Sequence, residues 1–127
     1  MKKVIVKKIK PAFEDKRGSI SDLLNEKINH VGLIVTKKGC VRANHYHKLS
    51  TQYNYVLSGK FEVFFAKASN PSNVKKIILR PGELIIIPPM TIHRFKAIEK
   101  TILLDLISES RAGRKYESDT VRVPIIN

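Results

Sequence analysis

His45 and His47 stand one residue apart in the run Gly39-Cys40-Val41-Arg42-Ala43-Asn44-His45-Tyr46-His47, and His93 follows downstream. On a β-strand alternate side chains leave the same face, so two imidazoles at this spacing point together. Such a pair can share a divalent metal ion, and a third ring from a neighbouring strand nearly completes the shell. The chain has four histidines, and three belong to this set. The fourth, His30, has no partner spacing and is expected at the surface or in a structural role.

With their spacing written out, residues 39–59 run G-x5-H-x-H-x4-Q-x6-G (Gly39, His45, His47, Gln52, Gly59). Residues 82–93 run G-x5-P-x-M-x2-H (Gly82, Pro88, Met90, His93). The glycines suit turns that need backbone freedom, and Pro88-Pro89 ends a strand before the chain re-enters the barrel. The two stretches resemble the signature motifs of the cupin superfamily, G-x5-H-x-H-x3–4-E-x6-G and G-x5-P-x-G-x2-H-x3-N. The resemblance implies an all-β fold, the double-stranded β-helix or jelly-roll barrel. It also implies a divalent transition metal (zinc, iron, manganese or nickel) on His45, His47, Gln52 and His93.

Three positions depart from the pattern. Gln52 stands where a glutamate is usual, and an amide oxygen ligates without adding negative charge. Three neutral histidines and a glutamine leave a divalent site at its full charge, which favours an anionic ligand or hydroxide. Met90 replaces a glycine and Ala97 an asparagine, changes of shape more than of ligation.

The elements needed to position these residues are strands. Val4–Ile9, Ile20–Leu24, Val31–Thr36, Val41–His47, Tyr53–Leu57, Lys60–Ala66, Val74–Leu79, Leu84–Ile87, His93–Ala97, Thr101–Ile107 and Val121–Ile126 are β-branched or aromatic runs between turn signals. Short strands at this spacing indicate a sandwich or barrel. Asp22–Asn29 lacks a helical apolar pattern, and Ser108–Tyr116, polar with Gly113 inside, is expected to be a loop or single turn.

Strand parity then assigns faces. Asn54, Val56, Phe95 and Ala97 are expected to line the cavity, with Tyr46, Tyr53 and Tyr55 pointing away. Cys40 is expected as a packed thiol on the face opposite His45. Asp105 interrupts an apolar strand as either a general base or an outward-facing charge that breaks a sticky run; the outward reading is the expectation. Glu62 has the same ambiguity, and both remain catalytic candidates.

Phe13-Glu14-Asp15-Lys16-Arg17-Gly18 resembles the F-x-D-x-R-G opening of cupins that process nucleotide-linked keto-sugars, the 3,5-epimerases and 3,4-ketoisomerases. Arg42-Ala43-Asn44-His45-Tyr46-His47-Lys48 resembles their R-G-x-H-x-H-K stretch. That likeness implies an anionic sugar substrate, a homodimer with exchanged N-terminal strands, and Arg17 and Arg42 as diphosphate ligands through bidentate bonds. Parity puts Arg42 on the face opposite His45 unless a bulge intervenes.

Composition bounds the rest. The chain of 127 residues is expected to form one domain with a proper core. Its net charge of +13 invites a nucleic-acid reading. The basic residues are scattered in pairs at turns, with no basic helix, zinc-finger spacing or aromatic RNA-binding strand, so nucleic acid is not the expected partner. No apolar stretch approaches the ~20 residues of a membrane helix, and the lysine-interrupted N-terminus is not a secretory segment. The single cysteine fits a reducing cytoplasm. No Ser-His-Asp set, phosphate-cradling loop or dinucleotide fingerprint is present. The expected function is a metal-binding isomerase or epimerase of a phosphorylated or nucleotide-linked sugar. A metal-dependent dioxygenase and a non-catalytic sugar-binding or regulatory protein are the alternatives.

Overall fold

The computed structural model describes residues 2–123. Among the described residues twelve strands follow one another: β1 (Ile5–Lys8), β2 (Phe13–Asp15), β3 (Gly18–Ile20), β4 (His30–Thr36), β5 (Val41–His47), β6 (Gln52–Ser58), β7 (Phe61–Lys67), β8 (Lys75–Leu79), β9 (Glu83–Ile87), β10 (Thr91–Ala97), β11 (Thr101–Ile107) and β12 (Thr120–Arg122). One short helix, α1 (Lys115–Asp119), precedes β12. All pairings are antiparallel. They build two five-stranded sheets, in the orders β1-β9-β6-β11-β4 and β12-β5-β10-β7-β8, plus the hairpin β2-β3. This is the expected all-β jelly roll.

The core lies between the two sheets because each strand sends alternate side chains inward. Val56, Ile85, Ile87 and Leu103 from the first sheet meet Phe61, Val63, Leu79, Phe95 and Ala97 from the second. On the outer face of the first sheet, Tyr53, Leu84 and Leu106 are buried under Ile9, Leu24 and Ile28. Tyr53 and Tyr55 thus point away from the cavity as expected, but into a second apolar layer and not into water. Tyr46 also points away, packing near Phe64 and Ile92.

Two expectations are corrected and a third is refined. The Ile20–Leu24 run ends as a strand at Ile20, and Leu24 instead covers the outer cluster. Cys40 is exposed in the turn before β5, outside the regular strand that would have set its face. The polar 108–116 segment runs into the helix α1, which starts at Lys115. The proposed strand to Ile126 is β12 as far as Arg122, and its end lies outside the described residues.

A bulge in β5 decides where Arg42 goes. His45 faces His93 in register, but the next pair is Arg94 with Ala43, leaving Asn44 unpaired. Ala43 and Asn44 hold positive φ of 76° and 62°, a conformation that costs a non-glycine residue roughly 1–2 kcal/mol. The extra residue reverses the alternation upstream. Arg42 therefore shares the cavity side with His45 and His47.

Candidate active site

His45 and His47 leave the inner face of β5, and His93 leaves β10, its hydrogen-bonded neighbour. The ring centres lie 4.7 Å apart for His45–His47, 4.8 Å for His45–His93 and 5.6 Å for His47–His93. One ligating atom from each falls within 4.8 Å of the others. Burial pushes His93 down to about 3 and His45 down to about 4, aided by the neighbouring rings and, for His45, by Arg122 and Arg111. His47 is lowered too, by burial first, against Asp119, a Gln52 hydrogen bond and Asp105, which raise it. At neutral pH all three imidazoles carry lone pairs.

Their tautomers follow from accept-only partners. His93 Nδ1 lies 2.9 Å from the Thr91 carbonyl oxygen, so it must donate, and the lone pair sits on Nε2. That Nε2 is buried with no hydrogen-bond partner among the described residues. His47 Nδ1 is 3.2 Å from Thr120 Oγ1, whose hydroxyl donates to the Tyr116 carbonyl at 2.6 Å. One hydroxyl proton cannot serve both, so His47 Nδ1–H is the donor and Nε2 holds the lone pair. Asp119 Oδ2, 3.8 Å from the same nitrogen, adds its charge behind the ring. Asp119 is itself pinned by the Leu49 and Ser50 amides and the Ser50 hydroxyl. A neutral trio of imidazoles with an orphaned, buried Nε2 is a donor set that fits a divalent transition metal.

A cavity of about 400 Å³ opens over this cluster, lined by Arg42, His45, His47, Gln52, Asn54, Phe95, Asp105, Arg111 and Tyr116 among others. Gln52 donates to Asn54 Oδ1 at 2.6 Å, and Asn54 Nδ2 donates to Asp105 Oδ1 at 2.8 Å. The two strands β6 and β11 thus present a continuous polar stripe. Asp105 is turned into the cavity, not outward; its neighbours Leu103 and Ile107 share that face. Burial raises its pKa, while Asn54, His30, Arg111 and His47 pull it back. His30 is not a lone surface ring: its Nε2 lies 3.8 Å from Asp105 Oδ2.

Among the residues chosen from sequence, Arg42, His45, His47, Gln52, Asn54, Phe95 and Asp105 come together around one cavity, with His93 directly beneath. Arg42 donates to Thr36 Oγ1 and the Val35 carbonyl. Arg17 lies apart, on the β2–β3 turn, paired with Asp15 at 2.7 Å. Glu62 also lies off the cavity and pairs with Lys76 across β7–β8 at 3.6 Å. Sequence reasoning missed Arg111, Tyr116, Asp119 and Thr120. Tyr116 brings its ring centre to 5.7 Å from His47 and 6.4 Å from His45. Arg111 stacks its guanidinium 3.9 Å from the Tyr116 ring centre.

Residues 17–120 match a family model described as cupin. A search of curated proteins finds no match. Among solved structures, the chain is similar to QdtA, a sugar 3,4-ketoisomerase from Thermoanaerobacterium thermosaccharolyticum solved with TDP, at 26% identity and TM-score 0.74, covering 94% of this chain and 87% of that one. A variant of that enzyme was solved with TDP-4-keto-6-deoxyglucose. A 3,4-ketoisomerase from Helicobacter canadensis shares the fold at 24% identity and TM-score 0.77, over 94% and 90% of the two chains. A dTDP-4-dehydrorhamnose 3,5-epimerase from Sulfolobus tokodaii does so at 21% identity and TM-score 0.71, over 92% and 74%. The family match spans most of the chain, and the jelly roll and inward-facing histidines agree with it: this protein belongs to the cupin family.

Proposed function

We propose that this cupin is an isomerase or epimerase of a nucleotide-linked keto-sugar. The observation that carries the reading is His47: its Nδ1–H is held by Thr120 with Asp119 behind, which turns its Nε2 lone pair to the cavity side of the ring, beside Gln52. Keto-sugar isomerisation needs a base to take the proton from the carbon beside the carbonyl, and an acid to serve the enediolate oxygen. His47 Nε2 is the base, and the Tyr116 phenol beside it is the acid. Arg42 gives the cavity a positive charge of the kind a diphosphate requires. The likeness to a TDP-binding 3,4-ketoisomerase over nearly the whole chain supports the substrate class.

The test is incubation with dTDP and with TDP-4-keto-6-deoxyglucose. Thermal stabilisation by dTDP together with conversion of the keto-sugar is the expected result. Binding without conversion favours a non-catalytic sugar-binding protein, and the absence of both removes the reading.

A second reading is carried by the orphaned His93 Nε2. His45, His47 and His93, with Gln52 beside them, would hold a divalent transition metal, which when bound supplies Lewis-acid polarisation of a carbonyl. Metal analysis of protein made without an affinity tag, compared with His93→Gln, separates the two. His93 is buried beneath the cavity wall, so only the metal reading makes activity depend on its lone pair.

We further propose a homodimer. The hairpin β2–β3 is exposed along its length, with Phe13 and Ile20 paired on it, and an isolated hairpin is marginal in water. The edge strand β4 exposes Val31, Leu33 and Val35, and Leu33 and Val35 border the cavity mouth. A partner seated there brings its hairpin, and with it Arg17, toward the cavity of this chain. Strand β1 pairs with β9 of its own chain here, so the sheet is complete without exchange. A cytoplasmic location rests on the lone exposed thiol of Cys40.

A further inference from the structure

Asp105 is buried, yet its two oxygens have different surroundings. Oδ1 accepts from Asn54. Oδ2 lies 3.8 Å from His30 Nε2 and 3.7 Å from the Arg111 guanidinium at Nη1. The approach of His30 is built into the strand. Gly32 is the Cα partner of Asp105, and a Cβ there would lie 2.9 Å from His30 Nε2. Only a residue without a side chain lets the imidazole fold over β4 to reach the carboxylate.

Arg111 belongs to the segment between β11 and α1, which has no strand to hold it. Its guanidinium touches two things across that segment: the Asp105 carboxylate and the face of Tyr116. A cation over an aromatic face gains energy when partly desolvated, and a planar guanidinium stacks where an ammonium cannot. Tyr116 is in turn the ring beside His45 and His47.

We infer that Asp105 is a positioning residue: by fixing Arg111 it holds the Tyr116 phenol over the histidine pair. The inference rests on the acid role given to Tyr116 in the proposed function. Misplacing a reacting group by an ångström from a distance costs rate and not binding, because the ground state does not use the lost alignment.

The experiment is a double-mutant cycle in the full-length chain, read by kinetics and by nuclear magnetic resonance of carbon-13-labelled tyrosine. Asp105→Asn keeps the shape and removes the charge. It is expected to lower kcat by about 10- to 100-fold and leave KM and dTDP affinity within about two-fold. In a Tyr116→Phe background the same change adds no further loss, because the two act through one group. Arg111→Lys keeps the charge without the flat stacking face, and falls with Arg111→Met. Multiplicative losses in the cycle, or loss of dTDP binding in Arg111→Met, overturn the inference and make Arg111 a direct substrate ligand. The spectra need no substrate: Asp105→Asn should move the Tyr116 ring signal and spare that of Tyr46, on the far face of β5. A moved signal in a protein without isomerase activity sinks the functional reading alone; an unmoved signal sinks this inference whatever the activity.

Discussion

Thr120 accepts a hydrogen bond from His47 at 3.2 Å only because its own proton is committed to the Tyr116 carbonyl. A chain of two bonds therefore links α1 to the tautomer of a ring on β5. Thr120→Val removes the acceptor and keeps the shape, freeing the imidazole to swap tautomers and turn. Loss of such a supporting partner typically costs about 10- to 100-fold in activity. Steady-state kinetics should show that loss in kcat with KM little changed.

Acid should destabilise the metal-free fold well above the carboxylate range. His45 and His93 are lowered from 6.5 to about 4 and about 3, and His47 is lowered as well. As pH falls below 6.5 the unfolded chain takes up protons that the folded chain refuses, so stability drains away through the window from 6.5 to about 4. Asp105, raised by burial, acts in the opposite sense above 3.8 and offsets part of the slope. Urea midpoints should fall between pH 7 and pH 5; equal midpoints contradict neutral burial of the histidines.

Two glycines with the same backbone sign should respond differently to alanine. Gly59 and Gly82 have φ of 86° and 84°. A Cβ on Gly59 presses into the Lys100 carbonyl and Thr101, whereas one on Gly82 meets nothing within 4 Å. Gly82→Ala should cost about 1 kcal/mol for the left-handed backbone alone, and Gly59→Ala about 3 kcal/mol once the clash adds to it. Chemical denaturation of the two variants gives the comparison.

Val31 and Leu33, 68% and 63% exposed, form an apolar row on an open sheet edge. Leu33→Glu puts a charge in the middle of the proposed contact. Sedimentation should show a dimer for the native chain and a monomer for the variant. A native monomer removes the dimer and the role suggested for Arg17.

The histidine set was legible because period-two alternation and two spaced motifs need no tertiary information. The inward direction of Asp105 was not, since apolar residues fill both faces of β11: Leu103 and Ile107 turn to the interior, Leu106 to the outer cluster. Alternation carries no signal when both faces are buried. Arg42 depended on the bulge at Asn44, which strand counting cannot see. Arg111, Tyr116, Asp119 and Thr120 flank Gly113 in a polar stretch without periodicity. Only the packing of α1 against β12, and β12 against β5, carries them to the histidines.

The central claim is that His47 removes a proton beside a sugar carbonyl, and solvent isotope exchange reads that step directly. TDP-4-keto-6-deoxyglucose incubated with the protein in deuterium oxide should take up deuterium at the carbon next to the ketone, followed by proton magnetic resonance, and His47→Asn should abolish the uptake. Exchange that persists unchanged in His47→Asn, or none with the native protein while it binds dTDP, would contradict the account.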